Sequence, residues 1–324
     1  MMSRKEQLPF YWLVVPVLFA LLPFVFSGDY ARGLLVQFMI FSTLAVGMNV
    51  VFGYMGHIPF GFAAFWGLGA YVSALMAVKL GWPFYVTFIM ATVLTALVGL
   101  FIGWVCLRLH GAYFAISTFG FMAILHVICK NWVSLTRGPM GVYGIPKPSM
   151  FGLRLETNLS YYFLCFGVLL FCLYFADRLD RSPIGRATAA TRENEELSKS
   201  LGISIFKYQL ISFCVAASMA SMAGGLYAHY FSSINPELFT AYYSLASLVM
   251  VVVGGRGTLF GPVVGAVIFI ILPEYFGLTG KGRLLLFGIV TLIFIMGLPN
   301  GVWPALSGLG RRVKASKFFK GRSK

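Results

Sequence analysis

Apolar residues along this chain run on rather than alternate. Ten stretches stand out, at 9–26, 34–52, 58–78, 83–106, 112–130, 160–176, 208–231, 241–253, 259–276 and 284–303. Crossing ~30 Å of hydrocarbon takes about 20 apolar residues in a helix. Most of these stretches reach that length, and 241–253 is short for a full crossing. A membrane β-barrel would alternate polarity in segments of about 10 residues, whereas YYFLCFGVLLFCLYFA (161–176) does not alternate. The pattern therefore predicts one all-α polytopic membrane domain over 1–324, with about ten transmembrane helices. Two longer polar segments interrupt it, at 131–158 and 177–207, and a basic tail follows at 304–324. MMSRKEQ leads into PFYWLVVPVLFALLPFVF with no clear small-x-small site after it, so the start reads as a first span rather than a cleaved leader.

Composition agrees with the pattern. The 324 residues are 59% hydrophobic and 11% charged, against roughly a quarter charged in soluble domains. The net charge of +15 does not point to nucleic acid, because it is positional. With both termini inside, the inner side holds 17 of the 25 Lys and Arg. Cytoplasmic loops collect these residues, so the predicted orientation is N-in, C-in. The tail GRRVKASKFFKGRSK has no acid, and membrane lipid is its expected partner. All five cysteines lie in apolar segments without a C-x-x-C pair and read as packing residues.

Absences narrow the function. None of the ten acidic residues falls in the middle of a predicted span, and proton- or ion-coupled carriers usually bury carboxylates there. No G-x-x-x-x-G-K-[ST] loop occurs; GLTGKGR (277–283) has the wrong spacing. No H-E-x-x-H, G-x-S-x-G or clustered Cys/His occurs either. No catalytic, metal or cofactor site is expected. The four histidines are scattered; His126, inside the predicted span 112–130, is the one singled out, and an interhelical hydrogen bond is its simplest role. The chain reads as a conduit without its own engine.

Two kinds of feature remain. The stretch GRATAATRENEELSKSLGI (185–203) predicts a charged helix over 187–200, with Gly202 as its stop. Glu195 and Lys199 form a favourable i,i+4 pair, and Ala190, Leu197 and Leu201 fall on one face. The helix is either a solvated connector or a dock for a cytoplasmic partner. The second feature is a pair of glycine-rich interruptions. One holds Gly53, Gly56 and Gly61 and breaks at Pro59, with His57 beside it. The other holds Gly254, Gly255 and Gly257 and breaks at Pro262. Paired breaks in the halves of a transporter point to the substrate path, or to close helix packing through small residues. Arg256, between the halves of the second break, is expected at the inner end of a short span, anchored to lipid or a neighbouring chain.

SPIGRATAATRENEELSKSLGIS (182–204) resembles the cytoplasmic coupling loop of the Liv-type branched-chain amino-acid ABC transporter permeases. The segments at 53–75, 207–239 and 247–274 resemble that family in the same order, and TRGPMGVYGIPKP (136–148) resembles its M-type subunit. The resemblance implies a type II-like importer permease in the bacterial inner membrane. It implies a homologous permease partner, two cytoplasmic ATPases that bind ATP and magnesium, and an extracytoplasmic binding protein that docks near 137–148. Arg192, Glu193, Glu195, Glu196, Leu197, Leu201 and Gly202 would couple to the ATPase, and the glycine-rich breaks would border the path. The implied cargo is leucine, isoleucine or valine. One departure bears on that cargo. The family pattern after its Gly-x-x-Gly is Gln-x-Ser-x-Gly-His, where this chain has His57, Ile58, Pro59, Phe60, Gly61 and Phe62. Urea or a short amide is the alternative cargo, and a stand-alone secondary carrier the alternative class.

Overall fold

The computed structural model describes residues 8–25, 28–150, 153–155, 157–277, 281–298 and 301–305. The expectations for the leader at 1–7 and most of the basic tail fall outside them. Each of the ten apolar stretches contains a helix: α1 (Leu8–Val25), α2 (Asp29–Asn49), α3 (Ala63–Leu80), α4 (Phe84–Cys106), α5 (Ala112–Asn131), α7 (Asn158–Arg181), α10 (Ile205–Phe231), α11 (Ala241–Gly254), α12 (Gly261–Tyr275) and α13 (Lys281–Gly297). The short helix α6 (Val133–Thr136) follows α5, and α8 (Pro183–Glu193) and α9 (Glu195–Ser200) lie between α7 and α10. Among the described residues, six helices are long and apolar enough to cross a membrane: α2 with its extension to Met55, α3, α4, α5, α7 and α10. The chain is thus an all-α, multi-pass membrane protein.

Depth in the bundle follows side-chain size and polarity. In α2 the apolar window is 83% buried, whereas in α4 and α5 only 33% and 28% is. So α2 is the central post and α4 and α5 face outward. The core helix α10 carries Ala216, Ala217, Ala220, Ala223, Gly224 and Gly225 toward α2, α3 and α4. Small residues allow helix backbones to meet where lipid supplies no hydrophobic drive. A Cβ on Gly224 would sit 2.0 Å from the Trp66 carbonyl oxygen, and one on Gly69 2.3 Å from that of Ser221. Polar side chains then bridge the helices. The Ser221 hydroxyl lies 3.1 Å from both the Ala91 carbonyl and the Thr95 hydroxyl.

The turns form two ends. At one end meet 49–62, 106–112, the α8–α9 segment, 254–261 and Gly301, which packs on Gly255. At the other, Asn158 donates to the Asp29 carbonyl and Tyr30 to Glu274. There the described residues of the 131–158 segment fold as turns and short strands. The strand β1 (Val142–Tyr143) pairs antiparallel with β4 (Ser233–Ile234), Val142 opposite Ile234. A second ladder joins β2 (Ser149–Met150) to β3 (Leu153–Arg154). The imidazole of His229, fully buried in α10, ties this loop down. Its Nδ1 lies 2.8 Å from the Pro146 carbonyl, and its Nε2 lies 2.9 Å from the Ser73 hydroxyl of α3. A carbonyl only accepts, so Nδ1 carries the proton. His126 is only half-buried on α5; the interhelical hydrogen-bonding histidine is His229.

Candidate functional site

The α8 end gathers most of the residues singled out in the sequence. The first break begins before Pro59. After Asn49, α2 loosens into a π-helical turn (Val50–Met55), and Gly56 then turns the chain left-handed at φ +85°. His57 to Pro59 are non-helical, and α3 starts at Ala63. His57 packs its ring against Phe114, with centroids 5.1 Å apart. Gly61 brings this entry turn onto α5, where a Cβ would meet the Thr118 carbonyl oxygen at 1.8 Å.

The second break spans Gly255 to Phe260, and Pro262 is not its cause. Pro262 sits in the first turn of α12, where its missing N–H costs nothing and its fixed φ helps start the helix. The breaks are Gly255 (φ +126°) and Gly257 (φ +72°), conformations that side chains with a Cβ rarely adopt. Gly254 serves packing, since a Cβ there would fall 1.8 Å from the Gly261 carbonyl oxygen.

The two breaks, some 200 residues apart in sequence, lie on one another. Asn49, 2% exposed, joins them. Its Oδ1 accepts from the Gly257 N–H at 2.9 Å, and its Nδ2 donates to the Thr258 carbonyl at 2.9 Å. The carbonyls of Phe52 and Gly53, in the π turn, accept from guanidinium groups. Arg256 Nε donates to Phe52 at 3.0 Å, with the guanidinium 4.3 Å from the centre of the Phe52 ring, and Arg192 donates to Gly53. Arg256 thus has a partner within this chain, the Phe52 carbonyl and ring. The sequence pattern does not single out Asn49; its amide, like that of Gln37, simply lies within the apolar run 34–52.

The 187–200 helix is two helices. Ser182 caps α8 by accepting from the Gly185 N–H at 3.2 Å, and Pro183 follows at the first position. Asn194 then leaves helical geometry (φ −154°, ψ 109°) and caps α9, its Oδ1 accepting from Leu197 N–H at 2.9 Å. Asparagine competes well for such a cap, and that divides the helix. Ala190 thus lies on α8, while Leu197 in α9 and Leu201 at its end stand 58% and 72% exposed. Glu193 ends α8, Glu195 and Glu196 occupy the first turn of α9, and Gly202 closes it at φ +76°. The Glu195 carboxylate lies 2.9 Å from Lys199 Nζ and 3.1 Å from His110 Nε2 of the α4–α5 turn. The Lys199 hydrogen bond, with that of His110, holds the Glu195 carboxyl below the usual carboxylate range.

Arg192 brings the α8 segment to the first break, and Asn49 brings the first break to the second. The arrangement can pass a displacement of α8 into two helix interruptions at once. Comparison with known proteins fits a transport part. Residues 30–297 match the family described as branched-chain amino acid transport system / permease component. The chain is 31% identical over 289 residues to the high-affinity branched-chain amino acid transport system permease protein LivM of Salmonella typhimurium, covering 82% of this chain and 68% of that one. It is 32% identical to LivM of Escherichia coli K12 with the same coverage. To LivH of Escherichia coli K12 it is 25% identical over 247 residues, covering 70% of this chain and 79% of that one. No solved structure matches the chain significantly. The matched region takes in both breaks and the α8–α9 segment, and the chain belongs to the branched-chain amino acid transport system permease family.

Proposed function

We propose that this chain is the permease subunit of an ATP-driven importer that carries leucine, isoleucine and valine across a bacterial inner membrane. The α8 end faces the cytoplasm, both termini lie on that side, and all ten apolar helices cross or enter the membrane. The observation that carries this reading is the α8–α9 pair. It is polar, leaves Leu197 and Leu201 open, and is tied through Arg192 to the carbonyl of Gly53. A carrier acting alone has no use for such a pair. A cytoplasmic ATPase, one of two that bind ATP and magnesium for this chain, would seat on Glu193, Glu195, Glu196, Leu197, Leu201 and Gly202. A homologous permease subunit would complete the membrane part, and an extracytoplasmic binding protein would dock on the loop around Arg137 to Pro148.

In this mechanism, closure of the ATPases displaces α8–α9. Arg192 draws on the first break and the bundle changes the side to which its path opens. The path runs between the break-bearing pairs α2–α3 and α11–α12, bordered by Gly53, Gly56, His57, Pro59, Gly61, Gly254, Gly255, Gly257 and Pro262. Selection rests mainly with the binding protein, so an apolar path suffices. The test is ATP-dependent uptake of labelled leucine and, separately, of labelled urea, in cells with and without this chain. Loss of leucine uptake supports the reading. Loss of urea uptake alone moves the cargo to the short amides and gives the departure at His57 to Phe62 a bearing on substrate. Leu197→Asp should abolish uptake while membrane insertion persists, and unchanged uptake would overturn the coupling role.

A further inference from the structure

We propose that Asn49 is a positioning residue for import, clasping the two glycine-rich breaks into one unit that Arg192 moves. This rests on the coupling role of α8–α9 just proposed and names the parts that carry it inward.

The geometry points to a built joint rather than incidental packing. A buried polar group is costly unless its hydrogen bonds are made. The Asn49 amide meets one N–H and the next residue's C=O, on Gly257 and Thr258, so both its donor and its acceptor are used on the second break. The site is cut to admit it. A Cβ on Gly53 would lie 2.1 Å from Asn49 Oδ1 and 2.8 Å from the Gly257 nitrogen. The π turn that starts right after Asn49 shifts the helical bonding by one residue. Within it, the carbonyls of Phe52 and Gly53 turn to arginines from two other segments.

Arg192 threads the same joint. A Cβ on Gly56 would lie 3.0 Å from Arg192 Cγ, and one on Gly257 3.5 Å from its NH1. One side chain of α8 thus touches both breaks. Interruptions such as the π turn and the Gly255–Gly257 turn are where helices bend. With the clasp intact, the two hinges move as a body. Without it, α8 can pull on the first break and leave the second behind.

The experiment uses the complete transporter, assembled with its partner subunits, and hydrogen–deuterium exchange read with and without vanadate-trapped nucleotide. In the wild type, peptides covering 50–58 and 254–261 should change exchange together on trapping. In Asn49→Ala, 254–261 should exchange about tenfold faster at rest, the effect of losing buried hydrogen bonds. Its response to trapping should vanish, while 195–201 still responds. Leucine taken up per ATP hydrolysed should fall about fivefold or more, and Asn49→Asp, which keeps the acceptor for Gly257, should restore part of it. A merely structural role would lower uptake and hydrolysis alike and spare their ratio. Should Asn49→Ala fail to assemble, Arg192→Gln carries the same criterion for both segments. The proposal is overturned if 254–261 responds to trapping in the variant as in the wild type, or if neither segment responds in the wild type. If the wild type couples the two segments but imports no leucine, the cargo assignment falls and the clasp stands.

Discussion

Glu195 joins two parts of the α8 end that sequence does not link. Lys199 is its partner within α9 and His110 its partner across the α4–α5 turn. Lys199 first, and His110 after it, holds this carboxyl below its ordinary value. The contact it supplies is therefore fully present above the usual carboxylate pKa of ~4.3 and is lost as pH falls through the lowered value. Limited proteolysis at 194–204 should be unchanged between pH 8 and 6 and should rise only in strong acid. Lys199→Ala should bring that rise to higher pH. An exposed i,i+4 pair is worth only ~0.3–0.5 kcal/mol, so global stability should hardly move. His229 works on the opposite end. Replacing it with Ala takes the hydrogen bond from the Pro146 carbonyl, while the Ser73 hydroxyl keeps only Thr87. Proteolysis of the 137–148 loop should then quicken, with the α8 end unaffected.

At the scale of elements, Asn194 decides the shape of the coupling segment. A change to Ala removes the α9 cap, a loss of ~1 kcal/mol. Such a residue also favours one continuous helix. The expected result is that Leu197 and Leu201 swing to new directions, transport falls, and the chain still inserts; normal transport would show that the division of α8 from α9 is not needed. The charged helix was legible in the sequence from its composition and its Gly202 stop, and so was the Glu195–Lys199 pair. Its division was not, since Asn194 is compatible with a helix interior at modest cost and only its bond to the Leu197 N–H reveals the cap. Pro262 misleads in the opposite sense. Proline interrupts a helix interior but starts a helix well, and the neighbouring Gly255 and Gly257 already provide the break.

At the scale of the whole molecule, helix approach and orientation carry the predictions. Gly224 admits the Trp66 carbonyl at a distance no Cβ can share. Gly224→Leu should therefore separate α10 from α3 and lower the thermal midpoint in detergent sharply, as overpacking a tight core does. A Leu at Gly120, where a Cβ meets nothing within 4 Å, should be tolerated. Orientation is checked by cysteine labelling. Met140, 80% exposed at the end opposite α8, should react as Met140→Cys with an impermeant maleimide in intact cells. Leu201→Cys should react only after permeabilisation. The reverse pattern would invert the proposed topology.

The sequence by itself determined the membrane class, the helical segments and the charged helical stretch. Those properties follow from the length and composition of contiguous runs, and a bilayer reads runs. It also pointed to both glycine-rich interruptions, because glycine and proline act on their own backbone. Only the tertiary structure decided that Asn49 holds Gly257 and Thr258, that Arg192 reaches Gly53 and that Arg256 reaches Phe52. Each of those bonds joins residues more than a hundred positions apart. No local preference encodes such a meeting; the shape of the packed helices supplies it.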